Sequence, residues 1–167
     1  MEKKKIRVLF VCHGNICRSP AAKGTFIKLI RDKKLEEYFH VDAAGVSAYH
    51  IGESPHPNTI KAGLEMGITI QHKARQLTYK DLDDFDYIIA MDHYNYSDIL
   101  KLGNNNDHQK KVFLFREFDP EVINSHHVPD VPDPYYSGYS KFVEVQKIIL
   151  RTSENLLNFI LERELKK

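Results

Sequence analysis

The chain has 167 residues, 42% of them hydrophobic, with 24 Lys plus Arg against 23 Asp plus Glu and a formal charge of +1. Such a length and apolar content support one buried core, in a single domain over residues 1–167, and exclude both a disordered chain and a disulfide-stapled miniature. The balanced charge excludes a nucleic-acid binder that relies on a basic face, and no apolar run reaches the length of a membrane span.

Lys3, Lys4 and Lys5 form the basic run near the start, expected to be a solvated tail, because Ile6 to Cys12 is too short for a signal-peptide core. A soluble, cytoplasmic protein is therefore expected. Ile6 to Val11 is a mostly apolar run of the kind that forms a buried parallel strand. It enters a loop, Cys12 to Arg18, and then Ser19-Pro20, which reads as an N-cap with proline at the first helical position. The helix continues through Arg31. A second strand is expected at Phe39 to Ala43, a loop from Ala44 to Pro57, and a short helix from Asn58 to Met66 ended by Gly67. Further strands are expected at Asp86 to Met91 and Lys111 to Phe115, with helices at Asn95 to Leu102 and from Gly138 to the end. Asn104 to Asn106 is a surface turn. In the last helix Phe142, Val145, Ile149, Leu156 and Phe159 recur at near-helical spacing and form a core-facing stripe. The alternation gives an α/β fold: a three-layer sandwich with a central, mainly four-stranded parallel sheet and a loop after the first strand.

Cys12 and Cys17 are the two cysteines. Joined as a structural disulfide they would close a very small loop and stabilise little. They are too few for a zinc, haem or iron–sulfur site, and no histidine pair stands at a ligand spacing, so no metal or cofactor is expected. Two inert core cysteines, or a reduced thiol doing chemistry, are the remaining readings. The loop favours chemistry. Between a strand end and a helix start, several backbone N–H groups point into one concavity, and the helix dipole adds to them. An oxyanion fits there, and the same field favours a thiolate at Cys12. Arg18 closes the loop with a planar fork for two oxyanion oxygens, Gly14 suits the tight turn, and the Ser19 hydroxyl is placed to donate to the Cys12 sulfur.

Val11 to Pro20, VCHGNICRSP, resembles the signature of the low-molecular-weight protein tyrosine phosphatases. The resemblance continues through Asp42-Ala43-Ala44-Gly45-Val46-Ser47, His72 to Gln76, Met91-Asp92 and Asp133-Pro134-Tyr135-Tyr136, and so runs over nearly the whole chain. It implies a two-step hydrolysis with Cys12 as nucleophile, Arg18 and the amides of His13, Gly14, Asn15, Ile16 and Cys17 holding the phosphate, and Asp133 as general acid and then base. Pro132 and Pro134 stiffen the segment carrying Asp133; Asp130 and Asp119 are its controls. The resemblance further implies that Asn15, Ser19 and His72 brace the loop, with Ala43 standing where the family often has a serine that joins them. Tyr49, Tyr135 and Tyr136, with His13 and Ile16, are implied as cleft walls suited to a flat aryl phosphate. The substrates implied are phosphotyrosine-containing proteins or small aryl phosphates, with inorganic phosphate as product. Relatives acting on phosphoarginine tend to carry threonine where Ile16 stands, which favours phosphotyrosine. Cys17 is implied to form a reversible disulfide with Cys12. The alternatives on this fold are phosphoarginine hydrolysis, arsenate reduction, for which a further cysteine is lacking, and a non-catalytic phosphocarrier.

Overall fold

The computed structural model describes residues 4–103, 105–122 and 125–165. Lys3 of the basic run and Asn104 of the expected turn lie outside them. Strands β1 (Ile6–Cys12), β2 (Phe39–Gly45), β3 (Tyr87–Ala90) and β4 (Val112–Leu114) form one parallel sheet in the order β2-β1-β3-β4. Around it lie helices α1 (Arg18–Asp32), α2 (Pro57–Glu65), α3 (Tyr79–Asp84), α4 (His93–Leu102), α5 (Asn106–Gln109) and α6 (Tyr139–Leu165). The expected sheet is present. The short helices α3 and α5 add to the expected elements, and Asn105 caps α5 with a bond from the His108 N–H where the sequence suggests a plain turn.

The continuous apolar run of β1 follows from burial on both faces. Val8 and Phe10 point into a core shared with α1 and α6, where Phe10 meets Phe26 and Phe115 edge-on at 5.5 and 5.8 Å. Leu9 and Val11 face the other way, onto Leu82, Phe85 and Ile99. Each fully buried large side chain contributes roughly 1.5–3 kcal/mol. The stripe on α6 faces the first of these cores: Val145, Ile149 and Leu156 are buried in it and Phe159 packs at its margin. Among the described residues no helix is long and apolar enough to cross a membrane.

The strand order places the site. The chain leaves β1 for β2 on one side and returns to β3 on the other, so the loops after β1 and β3 diverge and open a crevice at the carboxyl edge of the sheet. Cys12 is the last residue of β1.

Candidate active site

Cys12 pairs in register with Gly45, so the β2 exit runs directly beside the loop that follows β1. A Cβ at Gly45 would stand 2.9 Å from both the His13 carbonyl oxygen and the Asn15 Cβ; only glycine permits this approach. The loop turns at Asn15, whose φ of 61° is left-handed. Asparagine tolerates that region well among non-glycine residues. The turn expected of Gly14 is therefore made by its neighbour, while Gly14 sits close to the His50 ring.

Ser19 is not the N-cap that its place before Pro20 suggests. Helix α1 starts at Arg18, and its cap residue Cys17 makes no side-chain capping bond. Pro20 still lies in the first turn, where its missing N–H leaves nothing unpaired. The Ser19 hydroxyl has another partner: its Oγ lies 2.9 Å from Cys12 Sγ, and the Asn15 N–H donates to the same sulfur at 3.2 Å.

The direction of every bond behind the loop follows from one unambiguous donor. The Arg75 backbone N–H donates to Asn15 Oδ1 at 2.9 Å, which fixes that atom as the oxygen. Asn15 Nδ2 therefore donates to Ser19 Oγ at 2.8 Å, and the Ser19 proton is left to point at Cys12. His72 Nε2, 2.7 Å from Asn15 Oδ1, must carry its proton, so Nδ1 is the acceptor for the Lys23 ammonium at 3.0 Å. Burial and then the Lys23 charge, with Arg75, push the His72 imidazole down to about 4 against the opposing pull of Asp42. A neutral histidine of fixed tautomer results. Ala43, fully buried, adds no polar group; the positions beside it are tied by Arg75, which donates to Asp42 at 3.0 Å and to both Asp81 oxygens.

Arg18 is 3% exposed. Its Nη1 donates to Asp92 Oδ2 at 2.7 Å and to the Val131 carbonyl at 3.0 Å, which sets the guanidinium plane from the β3 side. Its Nη2 stands 3.7 Å from Asp133 Oδ2, and Asp133 is half exposed. Cys12, Arg18 and Asp133 thus border one pocket of about 370 Å³, together with His13, Gly14, Ile16, Cys17, Tyr49, Tyr135 and Tyr136. Asn15, Ser19 and His72 are not on its wall; they lie behind the loop. The Tyr135 and Tyr136 rings pack edge-on at 4.7 Å, and the Tyr135 N–H donates to Asp133 Oδ1 at 3.2 Å.

Cys12 and Cys17 are both free and buried. Burial, and then the adjacent Cys12, push the Cys17 thiol up to about 12, against a hydrogen bond with Thr59. The two control aspartates behave differently from Asp133. Asp119 is fully buried under Arg116 and Arg151, and Asp130 accepts from the His93 N–H.

Several residues of the site had no role assigned from sequence. Asp92 orients Arg18, Lys23 and Arg75 hold the network, and Ser47 and His50 line the pocket. For Asp92 a signal existed, since it closely follows β3, the strand beside β1; Lys23 offered none.

Comparison with known proteins agrees along the chain. The family model for low molecular weight phosphotyrosine protein phosphatase matches residues 7–167. The low molecular weight protein-tyrosine-phosphatase YfkJ of Bacillus subtilis is 41% identical over 155 residues, 91% of this chain and 94% of that protein. The low molecular weight phosphotyrosine protein phosphatase of Sus scrofa is 38% identical over 145 residues, 86% of this chain and 89% of its own. Among solved structures, the protein tyrosine phosphatase of Entamoeba histolytica superposes with a TM-score of 0.89 at 34% identity, covering 96% of this chain and 99% of that one. Signature loop, sheet order and whole-length similarity coincide: the chain belongs to the low molecular weight phosphotyrosine protein phosphatase family.

Proposed function

We propose that this chain acts as a single domain that hydrolyses phosphotyrosine in proteins, and small aryl phosphates, through a phosphocysteine intermediate. The observation that carries the proposal is the meeting of Cys12 Sγ, Arg18 and Asp133 in one pocket, with two donors already aimed at the sulfur. The Ser19 hydroxyl and the Asn15 N–H both reach the sulfur, the atom that attacks in the first step and leaves in the second.

In the first step the Cys12 thiolate attacks phosphorus and the P–O bond to the aryl group breaks. Asp133, protonated, gives its proton to the departing phenolic oxygen. An incoming phosphate dianion replaces Asp133 as the partner of Arg18 Nη2, which leaves the Asp133 carboxyl free to meet the departing oxygen. The equatorial oxygens are held by the loop N–H groups and by Arg18, whose plane is preset by Asp92 and the Val131 carbonyl, so little reorganisation is needed at the transition state. In the second step Asp133, now a carboxylate, takes a proton from water as that water attacks phosphorus; the P–S bond breaks, inorganic phosphate leaves, and the thiolate is restored. These roles call for no metal or organic cofactor.

The pocket walls support the substrate class. Tyr49, Tyr135 and Tyr136 surround the mouth with rings, and apolar Ile16 lines the pocket where a polar group would suit a guanidinium better. Cys17 is proposed as a redox guard: peroxide oxidises Cys12 to a sulfenic acid, the Cys17 thiol attacks that sulfur, water leaves, and a disulfide remains. A cytoplasmic setting, where thiols are kept reduced, fits this chemistry.

The test is a direct comparison of phosphotyrosine and phosphoarginine as substrates, with phosphate release measured for wild type and Cys12→Ser. Phosphotyrosine turnover that vanishes in the variant is expected. Preference for phosphoarginine overturns the substrate class, and turnover retained in Cys12→Ser overturns the mechanism.

A further inference from the structure

A second pocket, of about 520 Å³, adjoins the first and shares His13, Arg18 and Asp133 with it. Its other walls are Asp92, Tyr94, Asn95 and Asp98, at the start of α4, and Asp130, Val131 and Pro132. Four carboxylates face one guanidinium there, and Asp92 already neutralises that guanidinium at 2.7 Å. Asp98 has no hydrogen-bond or ion-pair partner among the described residues. The Asp130 carboxylate accepts the His93 N–H at 2.9 Å, with the His93 ring 3.9 Å away and directed to the Val128 carbonyl, while the Asp130 backbone carbonyl accepts from Arg116 Nη1 at 3.0 Å. Amides at the start of α4 serve two of these carboxylates, the Asn95 N–H going to Asp92 Oδ1 and that of His93 to Asp130, and neither reaches Asp98.

A separate observation points to a missing donor. Asn95 lines this pocket and is 1% exposed, and its buried side-chain Oδ1 has no hydrogen-bond partner. A buried amide oxygen left unpaired costs roughly 1–3 kcal/mol, so such groups are rare unless something else satisfies them. Asn95 Oδ1 calls for a hydrogen-bond donor, and the unpaired Asp98 carboxylate for one that carries positive charge.

We propose that this pocket is a subsite for an arginine side chain flanking the phosphotyrosine of a protein substrate. The inference rests on the phosphatase reading above and adds a sequence preference to it. An arginine offers five N–H donors in one plane, enough to meet the Asp98 carboxylate and Asn95 Oδ1 together, and it is less strongly hydrated than an ammonium. Tyr94, 80% exposed on the pocket wall, offers a ring face on which a guanidinium stacks. Because both pockets meet at His13 and Arg18, a residue close in sequence to the phosphotyrosine reaches the second while the phosphate occupies the first.

The test uses phosphotyrosine peptides carrying arginine, or its neutral isostere citrulline, at each of the three positions on either side. In at least one register arginine is expected to exceed citrulline about tenfold in kcat/KM, the scale of one charge-assisted hydrogen bond. Asp98→Asn, which breaks no contact of the fold, is expected to bring that ratio to about one while leaving p-nitrophenyl phosphate turnover within about twofold of wild type. A ratio of one in every register, or a ratio that survives Asp98→Asn, overturns the subsite. Failure of the phosphatase reading shows separately, as absent p-nitrophenyl phosphate turnover by the wild type. The arginine-to-citrulline ratio is then read from peptide Kd: a preference lost in Asp98→Asn supports the subsite, and no preference, or one that persists in the variant, overturns it.

Discussion

The loop beneath the pocket and the rim above it are built on opposite terms. Beneath, Cys12, Asn15, Arg18 and Ser19 are each at most 3% exposed, and each hydrogen bond among them has its direction dictated by the next. Above, Tyr49 is 84% and Tyr136 97% exposed, and Asp133 is held by one backbone N–H and a 3.7 Å approach to Arg18. A buried polar network has low tolerance for change because any lost partner leaves a desolvated group behind. An exposed ring has no such penalty. In the proposed mechanism the contrast separates the chemistry, assigned to the loop, from the choice of substrate, assigned to the rim.

That contrast breaks first, and hardest, at the sulfur. Cys12→Ser is expected to lower aryl phosphate turnover by about 10⁴-fold or more, since a serine hydroxyl is not ionised by the same field. Isothermal titration with inorganic phosphate is expected to show binding retained, because the amides and Arg18 remain. Loss of phosphate binding along with turnover would mean that the sulfur shapes the cradle as well as reacting in it.

Asp133→Asn comes next, expected to cost about 10²–10³-fold with alkyl or weakly acidic phenol leaving groups and much less with p-nitrophenol. A leaving-group series reads this directly. A uniform loss would remove Asp133 as the acid and make Asp130 the next residue to substitute.

Behind the loop the expected effects are smaller and depend on pH. His72 titrates near 4 in the folded chain and near 6.5 when unfolded. Above 6.5 neither state holds the proton and the neutral ring contributes in full. As pH falls from 6.5 to 4 the unfolded chain takes up a proton that the native one refuses, and stability drops by on the order of 3 kcal/mol across that window. Urea denaturation at steps between pH 7 and pH 4 is expected to show the slope in wild type and its loss in His72→Gln. Lys23→Met removes a repelling charge, and an NMR titration is expected to find His72 shifted upward from 4; an unmoved resonance would deny that Lys23 bonds Nδ1.

The smallest change belongs to the rim. Tyr136→Ala is expected to raise KM for phosphotyrosine peptides about two- to fivefold, with kcat and urea midpoint unchanged, because the exposed ring lines the pocket and packs only on Tyr135. A fall in stability of more than about 1 kcal/mol would show that the rim carries part of the fold.

Much of this is legible in the sequence where the signal is local. Ile6 to Val11 declares a strand buried on both faces by its composition, and Cys12 to Arg18 with Ser19-Pro20 declares an anion loop between a strand and a helix. Helices α3 and α5, at six and four residues, are too short for a 3.6-residue period to register. Ser19 departs from the capping role its sequence context suggests for a physical reason: its hydroxyl does not serve the helix end, because a nearer thiol and amide compete for it. Asp92 meets Arg18 across 74 residues and His72 meets Asn15 across 57, contacts that only the sheet order brings about. The left-handed turn falls to Asn15 and not Gly14, beside the close approach of Gly45 to the loop.

The covalent step is the central claim, and it has one direct measurement. Rapid acid quench of the enzyme with an excess of radiolabelled aryl phosphate, followed by mapping of the label, is predicted to find phosphate on Cys12 approaching one equivalent. The label is expected to persist longer in Asp133→Asn, where the attacking water lacks its base. Turnover of the same substrate with no label on Cys12 at any time would contradict the phosphocysteine mechanism.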